Sequence, residues 1–388
     1  MSVASGMASI AVIGGGLAGL SLALRLQDDR RFRGRMTLYE ARPVYADDRR
    51  WSYWSCGEHP FSRVIAAEYP RLQLVCAGRR VAFDCAALPY RCHAAGDIYA
   101  EAVRRLSADS RFELRMGTPA TMLRPVADGV SVRVAGEEQA HDLVLDGRPG
   151  SDPPEFLQWF VGGELELPAG MPMPAPVLMD FDAIEAPSPD APVAFAYVLP
   201  QGARRVLVQL TWFLPRGVAP PADARRHWTR YVAHRLDLDP ARLHREESGA
   251  IPMGIGRVAP TADPRIVRIG AAAGWVRAAT GYGFVDIQRA SARMAEALLG
   301  GDVRALGAVR PRPRADDAMD AILLEAMRTH PRRVGDWFLR LFAAVPAPRL
   351  IRFLSGEASA TDRLAVMAAL PAAPFLAAGW RRMRKAPA

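Results

Sequence analysis

The stretch "IAVIGGGLAGLSLALRL", Ile10 to Leu26, decides the fold. Ser9 to Ile13 is a short apolar run suited to a buried parallel strand. Gly14, Gly16 and Gly19 follow in GxGxxG order, and "LSLALRL" then reads as a helix. Such a tight turn lets the backbone approach a pyrophosphate, with the free N–H groups and dipole of the helix N-terminus behind it. The next apolar segment, "MTLYE", reads as a strand ending at Glu40. An acid about 20 residues past the loop can accept hydrogen bonds from an adenosine ribose. Strand, turn, helix, strand and acid in this order point to a dinucleotide site far more strongly than the glycines alone.

The remainder of the chain bounds what such a site can serve. A length of 388 residues, half of them hydrophobic, is enough for two intertwined domains. The formal charge is +9, carried almost wholly by arginine. No nucleic-acid motif or aromatic-interleaved basic stretch accompanies it, so nucleic acid is not expected as a partner. Cys56, Cys76, Cys85 and Cys92 have no CxxC spacing and read as reduced thiols. The opening "MSVASG" reads as a loose leader, without the positive n-region of a signal peptide. No run of about 18 apolar residues predicts a transmembrane span.

Two features favour FAD over a nicotinamide dinucleotide. Arg42 follows Glu40 where a basic residue can sit near adenosine. Far along the chain, Asp146 ends a second strand in "DLVLDGRPG", and "PRIVRIGAAAGWVRAATGYGF" gives a third strand and a turn containing Gly274 before the helix "VDIQRASARMAEALLG". A remote loop-to-helix junction suits the flavin end of FAD, which needs donors from elsewhere in the chain.

These motifs are part of a wider pattern. "RRWSYWS" from Arg49, "DGRPG", "FLQWFVGGELEL" with Gln158, Phe160 and Gly162, "PVLMDFD" with Met179 and Asp180, "FAYVLP", "REESGAIPM" with Glu246, Glu247, Gly249 and Pro252, and "AATGYGF" with Thr280, Gly281 and Tyr282 occur in this order. Together with the helical tail they resemble the bacterial lycopene cyclase family, flavoproteins related to the aromatic hydroxylase fold. The resemblance implies an α/β fold. A Rossmann-type, aromatic-hydroxylase-like FAD-binding domain is interleaved with an antiparallel-sheet substrate domain and followed by a C-terminal helical tail. It also implies a redox-neutral cyclisation of a polyene or isoprenoid end group, with reduced FAD as cofactor and NAD(P)H as a candidate reductant. Gly14, Gly16, Gly19, Glu40, Arg42, Asp146, Gly274, Thr280, Gly281 and Tyr282 are the expected cofactor-binding residues. No metal is expected.

One departure matters. Family members carry an acidic pair before Thr on the strand after "FAYVLP"; here "VLVQLTWF" retains Thr211 but has Gln209 and Leu210. Gln209 cannot give up a proton at neutral pH. The first candidates for a surviving acid are Glu246 and Glu247, because paired carboxylates disfavour double ionisation and one can stay protonated. Asp180 and Asp182 come second. The glutamates read equally well as structural hydrogen-bonding groups or water-facing charges. Trp51, Tyr53, Trp54, Trp159, Phe160, Trp212 and Trp275 are candidates for cation–π contact with a carbocation, and each reads equally well as core packing. The substituted acid leaves two other readings open: an FAD-dependent monooxygenase of an apolar small molecule, or a catalytically silent member. The seven histidines read as surface or capping residues, with His227 and His234 two turns apart on one helix.

The expected FAD-binding domain comprises residues 8–75, 95–150 and 255–305, the substrate domain 76–94 and 151–254, and the helical region 306–388. In the last, helices are expected at Met319 to His330, Val334 to Val345, Pro348 to Leu354, and Thr361 to Ala378 with breaks at Pro371 and Pro374. The tail ends in Trp380, Arg381, Arg382, Arg384 and Lys385. It reads either as an interfacial anchor on an anionic bilayer or as a helix packed on the core with a frayed basic end. The expected location is cytoplasmic, with peripheral contact at the inner membrane face.

Overall fold

The computed structural model describes residues 9–54, 57–150, 153–184, 191–254, 261 and 263–385. The leader, Ser55 and Cys56, the expected domain edge at 255 and the last three residues of the tail lie outside them. A five-stranded parallel sheet runs in the order Ile266–Arg268, Leu143–Asp146, Ser9–Ile13, Arg35–Tyr39, Phe112–Arg115. The middle strands are buried on both faces, as their unbroken apolar sequences require. Helix Leu17–Asp28 follows the first strand and packs against helices Ala95–Leu106 and Phe284–Leu299. An antiparallel meander, Ala120–Val126, Gly129–Val134 and Glu137–His141, is inserted beside this sheet.

The second layer is a seven-stranded sheet in the order Leu243–Met253, Phe156–Glu166, Arg205–Pro215, Val193–Gln201, Val177–Asp180, Arg71–Cys76, Arg79–Asp84. Its strands pair antiparallel except Val177–Asp180 with Arg71–Cys76, which are parallel. The edge expected between residues 75 and 76 falls inside the strand Arg71–Cys76, so this hairpin joins the seven-stranded sheet as a whole. A small sheet of Arg50–Trp54, Tyr90–Ala94 and Ala67–Tyr69 bridges the layers.

Helices Arg314–Thr329, Val334–Ala344, Ala347–Leu354, Ala360–Ala368 and Ala372–Lys385 complete the chain. The first three pack with Leu74, Phe83 and Phe195 in one apolar core. Ser359 caps Ala360–Ala368, its side chain accepting from the Asp362 N–H while Asp362 accepts from the Ser359 N–H. Pro371 lies in the break before the last helix, but Pro374 does not break it. Pro374 sits in the first turn, where a missing N–H leaves no bond unmade.

Three histidines correct the surface assignment. His59, His93 and His141 are buried. The Phe61 N–H donates to His59 Nδ1, so His59 Nε2–H faces the Tyr53 hydroxyl at 3.1 Å. That hydroxyl reaches His93 Nε2 at 2.9 Å, and His93 Nδ1–H donates to the Val64 carbonyl. Both rings are held neutral in this chain, beside Phe284. The expected single helix around His227 and His234 is also interrupted: Ala224–Arg230 is α-helical and Tyr231–Arg235 widens into a π turn, which removes the simple two-turn alignment.

Burial lowers His59 from 6.5 to about 3 and His93 to about 4. Unfolding in acid frees both rings to bind protons, so the unfolded state gains as pH falls below 6.5 toward the folded values. Thermal unfolding followed from neutral pH to about pH 5 should therefore show a falling midpoint, and His59→Gln with His93→Gln should flatten that slope.

Candidate functional site

The strand Phe156–Glu166 lies between Arg205–Pro215 and Leu243–Met253, and its register builds the site. Gly162 pairs with both Gln209 and Glu247, Phe160 with both Thr211 and Gly249, and Gln158 with Ile251. A Cβ on Gly162 would stand 2.1 Å from the Val208 carbonyl oxygen, and one on Gly163 2.0 Å from that of Arg245. Only glycines let the central strand pass here, and no side chain separates Gln209 from Glu247. Phe160 lies against Gly249, where a Cβ would come within 2.9 Å of its ring.

This face closes a cavity of about 110 Å³. Gln209, Thr211 and Glu247 line it with Arg50, Trp51 and the loop Thr280–Gly281–Tyr282. Of the seven aromatic candidates, Trp51 and Phe160 reach it. Trp159 and Trp212 meet at a tilt of 46° in the core on the other side of the sheet. The Thr211 hydroxyl is buried with no hydrogen-bond partner.

The paired glutamates separate, because successive residues of a strand point to opposite faces. Glu246 points outward and binds Arg225 at 2.6 Å. Glu247 points inward and is buried. Its neighbour in charge is Glu164, across the sheet. Arg245 Nη2 donates to both Glu164 Oε1 (3.0 Å) and Glu247 Oε2 (2.9 Å), while Arg50 binds Glu164 at 2.5 Å. Glu164 thus holds two guanidinium groups and Glu247 shares one. Burial pushes the Glu247 carboxyl above its ordinary range; Arg245 and Arg50 oppose that, and Glu164 adds to it. Asp180 is not brought to the cavity: it accepts from the Tyr231 hydroxyl at 2.9 Å and faces Arg235. Asp182 binds the Ala77 and Gly78 N–H groups in a turn.

Tyr90 donates to the Tyr282 hydroxyl at 3.3 Å, and Tyr197, on the sheet strand Val193–Gln201, is hydrogen-bonded to Tyr282 and Gln158. Burial holds all three phenols neutral, with Tyr282 pushed up to about 12. Gly281 needs its left-handed conformation (φ +68°), and a Cβ there would stand 2.9 Å from Gln158 Oε1. The loop is pinned from behind: buried Arg277 binds Asp320 at 3.0 Å, and Asp320 accepts from the Ala279 N–H. Tyr90, Tyr197, Arg50 and Glu164 escaped the sequence reading. No spacing links them, and only the strand register brings them together.

Gly14, Gly16, Gly19, Glu40, Arg42 and Asp146 lie at the carboxyl edge of the parallel sheet. A Cβ on Gly14 or Gly16 would meet nothing within 4 Å, whereas one on Gly19 would stand 2.6 Å from the Gly14 oxygen. The helix beginning at Leu17 has no side-chain cap and no acid in its first turn. Open space, free donors and an uncompensated dipole fit a pyrophosphate. Glu40 accepts from the Gly15 N–H at 2.9 Å and from Arg42. Burial works against its charge, yet the Arg42 bonds leave its carboxyl below the usual range. Tyr45 and Tyr99 stack beside it at 4.1 Å, under the Arg42 guanidinium. Asp146 pairs in register with Ile13 and binds Arg148 and Arg268. Gly270, opening the late turn, comes against Ala18 of the early helix, with a Cβ position 3.2 Å from the Ala18 Cβ. Gly274 departs from expectation: it ends a 3-10 turn and lines a separate cavity of about 460 Å³ with Arg268, Arg304 and Arg312.

Comparison with known proteins gives a family and a fold. A family model described as "Lycopene cyclase protein" matches residues 9–379. No curated protein matches the chain. Among solved structures, p-nitrophenol 4-monooxygenase PnpA from Pseudomonas putida superposes with a TM-score of 0.62 at 15% identity, over 91% of this chain and 100% of that one. A geranylgeranyl bacteriochlorophyll reductase-like protein from Thermoplasma acidophilum gives 0.56 at 13% identity, over 98% of each chain. HpxO of Klebsiella pneumoniae, solved with FAD, gives 0.53 at 16% identity, over 94% of this chain and 100% of that one. The fold is therefore the α/β fold of FAD-dependent aromatic hydroxylases, as expected.

The charge cluster predicts an order of stabilities. Glu164→Gln removes the carboxylate that Arg245 shares with Arg50, which keeps Asp47 at 2.6 Å, and should cost about 3 kcal/mol, whereas exposed Glu246→Gln should cost at most about 1 kcal/mol. Glu247→Gln should stay within about 1 kcal/mol of the parent, because Glu164 still satisfies Arg245. Denaturant unfolding of the three variants checks the order.

Proposed function

The chain belongs to the lycopene cyclase protein family, and from that membership we propose that it is a flavoenzyme that closes a ring on the end group of a polyene or related isoprenoid. The observation that carries this reading is Glu247, a carboxyl raised by burial in a cavity walled by Trp51, Phe160 and Tyr282. FAD is the proposed cofactor, with NAD(P)H as its reductant. Gly14, Gly16 and Gly19 would receive its diphosphate, Glu40 and Arg42 its adenosine, and Asp146 with Thr280, Gly281 and Tyr282 its flavin end. When bound and reduced, it supplies an electron-rich face that favours a nearby cation.

The reaction balances without an oxidant. A proton joins the terminal alkene, the tertiary cation is attacked by the neighbouring double bond, a six-membered ring closes, and a proton passes from an adjacent carbon to the carboxylate left on Glu247. Glu247 is the proton donor in place of the acid that family members carry at position 209. Leu199, Leu207 and Ile251 exclude water from the same cavity. Trp51 and Phe160 present π faces to the developing charge. The proposed location is the cytoplasm, with the tail in peripheral contact with the inner membrane face, where such a substrate dissolves.

Expression in a lycopene-accumulating host tests the reading. Isomeric cyclic pigments support it, pigments heavier by one oxygen favour a monooxygenase, and unchanged lycopene together with no turnover of other isoprenoids leaves a silent protein. Glu247→Gln should abolish ring closure, a loss of at least about 100-fold for a general acid, while Glu246→Gln should leave it intact. The active form of Glu247 is protonated, so the rate should fall as pH rises through its elevated value. Glu164→Gln, which frees Arg245 and Arg50 for Glu247, should move that fall to lower pH.

A further inference from the structure

The last two helices carry apolar side chains on both of their faces. The inner face of Ala372–Lys385 is packed and tied: Phe375 meets Trp337 with ring centres 5.0 Å apart, Ala378 is fully buried, Arg381 binds Glu325, and Arg382 binds Glu155 at 2.6 Å. The outer face presents Leu376, Trp380 and Met383, spaced four and three apart and 60–73% exposed. Ala360–Ala368 adds Leu364 and Met367, 64% and 58% exposed. These are five of the nine large apolar side chains exposed among the described residues, gathered in 20 positions. Between Arg363 and Lys385 there is no acidic residue. The two helices meet at a bend of 116°, and among the described residues no single helix is long and apolar enough to cross a membrane.

We propose that this bent helix pair docks into one leaflet of an anionic bilayer, with Leu376, Trp380 and Met383 inserted and Arg384 at the headgroups. The inference rests on the isoprenoid reading for its purpose and gives that membrane contact a defined surface. An apolar patch this large on a basic segment has the character of an interfacial anchor. Arginines attract anionic headgroups, and tryptophan belongs at the boundary. A twofold contact between two copies of the chain would instead set this segment against another that holds no acidic residue between Arg363 and Lys385, so its arginines would find no opposite charge there. The packed inner face also leads toward the site. Phe375 touches Trp337, the adjacent Phe338 and Phe342 line a small apolar cavity, and that cavity reaches Tyr282 and Gln158. A hydrocarbon leaving the leaflet under the terminal helix meets apolar side chains along this line.

The test uses the full chain and flotation with vesicles of phosphatidylcholine alone or with one-third phosphatidylglycerol. The parent should float with the anionic vesicles and bind about tenfold less to neutral ones or at high salt. The triple variant Leu376→Ser, Trp380→Ser, Met383→Ser should lose at least about tenfold in binding while keeping the parent's melting midpoint, since each side chain is exposed. Should that variant fail to fold, Leu364→Ser with Met367→Ser reads the same surface from the other helix. Equal flotation of a folded variant, no flotation of the parent, or a dimer in solution that the triple variant splits would each overturn the proposal. Binding needs no turnover, so ring closure in detergent without flotation removes only the docking, and flotation without ring closure removes only the reaction.

Discussion

A carboxyl group taken out of water must be paired or uncharged, and the site is organised around that constraint. Arg50, Glu164, Arg245 and Glu247 form a buried cluster of two guanidinium and two carboxyl groups, with Asp47 on Arg50 at its edge. The pairing is unequal. Glu164 takes both guanidinium groups, and Glu247 is left with a share of one. The inequality follows from the register of three strands, since Glu164 and Arg245 are direct partners across the sheet while Glu247 lies opposite a glycine. A single cluster thus holds one carboxyl group, Glu164, between two guanidinium groups and leaves the other, Glu247, raised by its burial.

The opposite wall depends on the helical tail. The Thr280–Tyr282 loop has the backbone freedom of glycine at its centre and would not hold one shape on its own. Arg277 and Asp320 fix it from behind, and both are almost fully buried. Asp320 belongs to the helix Arg314–Thr329, against which the terminal helix packs. The surface that we assign to the bilayer and the loop that faces Glu247 therefore share one support. The tail is part of the site's frame as well as its approach.

Much of the fold was legible in the sequence because its signals are local. The glycine turn needs only six consecutive residues, and the inner parallel strands betray themselves as apolar runs. The late loop-to-helix junction was visible for the same reason, although Gly274 within it lines a different cavity. What stayed illegible depends on register and long-range contact. Alternation along a strand says that Glu246 and Glu247 face apart, but not which one faces inward. Asp180 sits on a recognisable strand, yet its partners Tyr231 and Arg235 come from a segment 50 residues on that widens into a π turn. Buried His59 and His93 looked like surface residues because isolated histidines carry no periodic pattern, and the tyrosine that joins them lies on another strand.

The central claim is that Glu247 delivers a solvent-derived proton to an alkene with no net oxidation. Turnover of lycopene by the flavin-loaded protein in deuterium oxide, followed by mass spectrometry, tests it most directly. The account predicts a cyclic product carrying one deuterium for each ring closed and no added oxygen, and none of it from Glu247→Gln. An oxygenated product, a ring without deuterium, or an undiminished yield from Glu247→Gln would contradict it.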